Sequence, residues 1–82
     1  MSAKLRRLSG REVVRILRSF GFSTTSTRGS HIKVRRTGPE GEKRTLVIPL
    51  HDDLDAGSLR AIVRQASRYI PEHDLRERFY TK

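Results

Sequence analysis

An α+β fold is predicted, in the order α-β-β-β-α with a short C-terminal helix added, and three observations carry it. Two segments, near residues 13–20 and 59–66, repeat apolar residues with the period of a helix, while residues 31–36 and 44–48 alternate with the period of a strand. The connections between the strand-like segments are of hairpin length, which implies a three-stranded antiparallel sheet. Both apolar helix stripes are then satisfied by packing on one face of that sheet, leaving the other open.

The elements follow in order. Ser9-Gly10-Arg11-Glu12 has the spacing of a capping box, so a helix begins there, with Val13, Ile16, Leu17 and Phe20 as its stripe. Arg11, Arg15 and Arg18 lie on its opposite face, and Gly21 is suited to the left-handed cap that ends it. Ser23-Thr24-Thr25-Ser26-Thr27 is too β-branched for a helix and too polar for a central position, so it reads as an edge strand. After a bend at Gly29, Ile32 and Val34 face one way, and His31, Lys33 and Arg35 face the other. Thr37 to Glu42 is a turn by composition; Leu46 and Ile48 point inward from the next strand, which Pro49 ends. Asp55 caps a second helix bearing Leu59, Ile62, Val63 and Ala66. A last helix is expected to start with Pro71 as its first residue and to bury Leu75 and Phe79.

The 82 residues make room for one domain, expected over 1–82 with a core at 9–70 and a C-terminal helical extension at 71–82. A chain this short buries only about 60–65% of its unfolded surface, which argues against a deep pocket. No apolar run has the length of a signal peptide or a membrane span, so a cytoplasmic protein with no membrane partner is expected. The absence of cysteine excludes disulfide scaffolds, cysteine-bound zinc and thiol nucleophiles. The net charge is +9, and all of the excess lies in residues 1–36, where ten Lys/Arg face the single acid Glu12. Segregation of that kind points to a polyanion: nucleic acid first, an anionic membrane second, an acidic protein third.

His31 between two cations on an open sheet face suits ribonuclease chemistry. RNA carries its own nucleophile, the 2′-hydroxyl, so cleavage requires a proton-transfer group, positive charge for the transition state and a surface that fixes the strand. An imidazole titrating near pH ~6.5 supplies the first without tuning. His31 with Arg28, Lys33 and Arg35 meets that requirement, and a solvated β-face of mixed charge is the bland alternative. His51, Asp52 and Asp53 invite a metal reading, but adjacent residues do not readily converge on one ion, and a loop with helix-capping acids is preferred. Serine catalysis by Ser30 and His31 would need an orienting acid and an oxyanion hole, neither of which the sequence locates. Phe20, Phe22 and Phe79 fit core positions, so only Tyr69 and Tyr80 remain for base stacking, and affinity should come from phosphate contacts.

Four ordered blocks carry a further signal: Phe20-Gly21-Phe22 closing the first helix, Gly29-Ser30-His31, Ile48-Pro49-Leu50-His51, and Gly57 to Ala66. In these the sequence resembles the HicA family of toxin mRNA interferases. The resemblance implies a fold like that of double-stranded-RNA-binding domains, ribosome-independent cleavage of mRNA by a catalytic histidine that falls on His31, and neutralisation by a HicB-type antitoxin; because attack by the 2′-hydroxyl is internal to the RNA, no metal or other cofactor is expected. The RNA strand would be held by Arg28, Ser30, Lys33 and Arg35, and the family's second histidine falls on His51 in an auxiliary role, structural or phosphate-orienting. A non-catalytic RNA-binding module using the same basic face is the competing reading, and a surface that docks an acidic protein is the third.

Overall fold

The computed structural model describes residues 3–81. Its elements are α1 (Gly10–Ser19), β1 (Ser23–Arg28), β2 (His31–Thr37), β3 (Lys43–Pro49), α2 (Ala56–Ala66) and α3 (Glu72–Phe79). The strands form an antiparallel sheet in the order β1-β2-β3, so the expected α-β-β-β-α topology with an added helix is the one observed.

Local chemistry sets both ends of α1. The Ser9 hydroxyl accepts from the Glu12 amide at 3.1 Å, and Glu12 Oε1 accepts from the Ser9 amide at 2.9 Å, which completes the capping box. At the other end Gly21, with φ 91°, donates to Arg18 O, and Phe22 donates to Leu17 O. These are the two bonds of a Schellman motif, and they turn Phe22 into the core. Gly10 marks a close approach. A Cβ there would run into the Pro49 carbonyl oxygen and lie 2.9 Å from Leu50 Cα, so the first turn of α1 rests directly on the end of β3. Gly10→Ala is accordingly expected to cost about 1–3 kcal/mol through overpacking against backbone, read as a lower urea midpoint at unchanged slope.

One cluster of buried side chains joins the elements. Val13, Ile16 and Leu17 from α1 meet Val34, Leu46 and Ile48 from the sheet, Leu59, Ile62 and Ala66 from α2, and Leu75 and Phe79 from α3. The terminal segments close over it: Leu5 pairs with Tyr80, Arg6 N–H donates to Phe79 O, and Thr81 N–H donates to Lys4 O. The last helix starts one residue later than expected. Pro71, with ψ 140°, stands at the cap and its carbonyl accepts from Leu75 N–H, so it takes the N-cap role with its own backbone still extended.

Arg36 is the exception on the inward face of β2. At the rim of the core it donates to Phe20 O at 2.9 Å and to Tyr69 O at 2.6 Å, with its guanidinium carbon 5.1 Å from the Phe22 ring centroid. Phe20 caps the C-terminus of α1, where free carbonyls carry partial negative charge, so a cation is favoured there.

Two helix caps bear carboxylates whose pKa values lie below the usual range. Glu12 is held down by the backbone N–H and then the hydroxyl of Ser9, and Asp55 by the hydroxyl and then the N–H of Ser58. A depressed folded-state pKa gives stability that is present above the unfolded value and is lost as pH falls through the folded one. Stability should therefore decline with acid below the ordinary values of 4.5 and 3.8. The double variant Glu12→Gln/Asp55→Asn keeps both caps without the charges, and its urea midpoint should fall less between neutral pH and acid than that of the wild type. Parallel curves would exclude these two groups as the source.

Candidate functional site

His31 is the first residue of β2 and is fixed by the strands on both sides. Gly29, with φ 52°, leads the two-residue turn Gly29-Ser30, so that Arg28 pairs directly with His31; on the other side His31 pairs with Pro49. Ser30 O accepts from Leu50 N–H at 2.6 Å, and His51 O accepts from Gly10 N–H at 2.9 Å. The backbone around the histidine is thus tied to β3 and, one step further, to α1.

The open face of the sheet is as the alternation predicts, with one change in β1. Thr24 pairs with the inward Val34 and Ser26 with the outward Lys33, so Thr25 is an extra residue that forms a β-bulge, its hydroxyl donating to Lys33 O at 3.3 Å. Whereas the bulge turns Thr24 inward, the hairpin turn makes Arg28 face outward beside His31 and Ser26 beside Lys33. With Val47, the neighbour of Lys33 on β3, they line a shallow depression of about 340 Å³. Directly opposed residues on one sheet face have Cβ atoms about 5 Å apart, and residues two apart along a strand about 7 Å, so Arg28 and Lys33 bracket the imidazole. The site is small, open and cationic, with a single apolar patch at Val47, which is 48% exposed.

Of the residues singled out from sequence, the depression therefore brings together Arg28, His31 and Lys33. Ser30 lies in the exposed turn above it, outside the lining. Arg35 is half-buried further along β2, its Nε donating to Thr45 Oγ1 at 3.2 Å. His51 is exposed and also lies outside the lining. Asp53 accepts from Arg7 at 2.8 Å, and among the described residues no three His, Asp or Glu side chains cluster as a metal site. Tyr69 and Tyr80 are half-buried with Arg44 and Arg76 guanidiniums about 5.2 Å from their ring centroids, so neither offers the bare ring that base stacking needs. Ser26 and Val47 were not singled out from sequence. The outward position of Val47 was readable from its neighbours Leu46 and Ile48, and that of Ser26 follows from the hairpin register set by the turn at Gly29.

These features define a class: a small α+β protein whose three-stranded sheet covers its helices on one face and turns a histidine between two cations outward on the other. The chain belongs to the HicA toxin family. The family model described as the HicA toxin of bacterial toxin-antitoxin matches residues 10–67, well over half of the 82, and spans α1 to α2 with His31 inside it. Neither a curated protein nor a solved structure matches the chain. Membership of a toxin-antitoxin family implies an antitoxin partner, and among the described residues no helix is long and apolar enough to cross a membrane.

Proposed function

We propose that this protein is a toxin endoribonuclease, an mRNA interferase that cleaves RNA through His31 and is neutralised by a HicB-type antitoxin in the cytoplasm. The observation that carries the reading is the depression on the open sheet face, where His31 stands between Arg28 and Lys33 inside the segment that matches the family. In the reaction the RNA 2′-oxygen attacks the adjacent phosphorus and gives up its proton, while the 5′-oxygen leaves and takes one. His31 serves as general base or general acid in this exchange, and the protein supplies no nucleophile. Arg28 and Lys33 offset the charge that builds on the phosphoryl oxygens. Ser30 and Arg35 extend the hold on the strand, and His51 at the end of β3 acts as an auxiliary, structural or phosphate-orienting group.

Because the attack is internal to the RNA, the products are a 2′,3′-cyclic phosphate and a 5′-hydroxyl. Incubation of the purified protein with an end-labelled transcript in EDTA tests this directly. Cleavage with those ends is expected. Binding without cleavage would replace the reading by a non-catalytic RNA-binding module on the same face.

A further inference from the structure

The excess charge of the first 36 residues is only partly used by the His31 depression. Arg11, Arg15 and Arg18 recur at i, i+4 and i+7, so they form one row about 10 Å long on the solvent side of α1. Among the described residues none of the three forms an ion pair, in contrast to Arg7, Arg44 and Arg76. The one acid of that region, Glu12, is engaged by the Ser9 amide. The row borders a groove of about 250 Å³ between α1 and the sheet, with Val14, Ile32 and Leu50 as its apolar floor and Thr24 of β1 on its far wall.

β1 and β2 both contribute to this groove and to the His31 depression, and β1 is the one at the sheet edge. Thr24 lines the first and Ser26 and Arg28 line the second, and the bulge at Thr25 turns the strand from one to the other. Every residue of β1 is exposed, five of the six carry hydroxyls, and among the described residues its outer edge has no strand partner. A polyanion leaving the depression over β1 thus meets only hydroxyls, free edge amides and cations before it reaches α1.

We propose that the groove between α1 and β1 is a second RNA site, in which Arg11, Arg15 and Arg18 bind phosphates of a strand that crosses the β1 edge from the His31 depression. The inference rests on the ribonuclease reading for the direction of the strand, and on charge and continuity for the site itself. Guanidinium groups suit it because each can take a phosphate through two parallel N–H donors, and the apolar floor gives sugar and base faces a dry surface.

The test measures binding of a long and a short fluorescent RNA, the short one just long enough to fill the depression, to the full chain carrying His31→Ala so that the RNA stays intact. Addition of Arg11→Gln, Arg15→Gln and Arg18→Gln should flatten the dependence of log affinity on log salt by about 2, since three contacts contribute roughly 0.7 each on a single strand. Affinity for the long RNA should fall about tenfold or more at moderate salt, with little change for the short one. Equal removal of charge from α2 and the turn after it, as Arg60→Gln, Arg64→Gln and Arg68→Gln, should have a much smaller effect. An equal loss from this control set, or an equal loss for both RNAs, would overturn the proposal in favour of general charge attraction. Unchanged RNA affinity with lost capture of the antitoxin would overturn it in favour of a protein interface. If the chain with His31 intact fails to cleave RNA while the long-RNA defect persists, the catalytic reading falls and the second site stands.

Discussion

Replacement of His31 by alanine is expected to lower RNA cleavage by about 10²–10⁴-fold, the usual contribution of a positioned proton-transfer group, while RNA affinity changes only a few-fold. The expectation follows from where the side chain sits. It is exposed at the start of β2 and absent from the core, so its removal should leave the thermal midpoint unchanged and the loss should be one of turnover. Expression of the variant should accordingly no longer arrest growth. His51→Ala, outside the depression, should reduce cleavage far less. A His31→Ala protein that still cuts at near wild-type rate would remove the histidine from the mechanism, and a His51→Ala protein that is equally dead would move the proton-transfer role to the end of β3.

The second large effect concerns a residue outside the segment that matches the family. Phe79 is completely buried, packed in the same cluster as α1 and the sheet, and Leu75 is nearly so. Deletion of a buried phenylalanine ring typically costs about 3–5 kcal/mol, a large part of the roughly 5–15 kcal/mol that holds a domain together. Phe79→Ala should therefore lower the thermal midpoint by on the order of 20 °C and increase sensitivity to protease. Truncation to residues 10–67 removes Leu8, Ile70, Leu75 and Phe79 from the cluster together and should abolish cooperative unfolding. A truncated protein that unfolds with the wild-type midpoint would show that α3 is dispensable for stability.

The parts of this structure that were legible in the sequence are those governed by neighbours along the chain. The capping box at Ser9, the glycine that ends α1, the turn at Gly29 and the cap at Asp55 each depend on a few consecutive residues, and each formed as expected. Period-two alternation sufficed to send His31 and Lys33 to one face and Val34 to the other. What escaped depends on contacts between distant segments. Hydroxyl-rich sequence cannot reveal which residue of β1 is extra, because Ser23 to Thr27 are nearly equivalent until paired with β2. Alternation puts Arg36 on the face of Ile32 and Val34, but only the nearby carbonyls of Phe20 and Tyr69 explain how a cation is accommodated there. The pairing of Leu5 with Tyr80 and the pressure of Gly10 on Pro49 join segments far apart in sequence. For the site, this left the histidine and its two cations, Arg28 and Lys33, readable, and the bulge that turns Thr24 to the other side of the sheet unreadable.

The bonds that hold the histidine have a bearing on control. His31 begins a central strand paired on both sides, with Ser30 anchored to Leu50 and the first turn of α1 seated on Pro49. Catalytic groups that are gated from within usually ride on loops that can swing, and this one is built into the ladder that defines the fold. On the proposed reading the enzyme is competent as soon as its sheet has zipped up, with no latent form to retreat to. Restraint then has to be a matter of stoichiometry, set by how much inhibitor is present to cover an always-ready surface, and release needs only the loss of that cover.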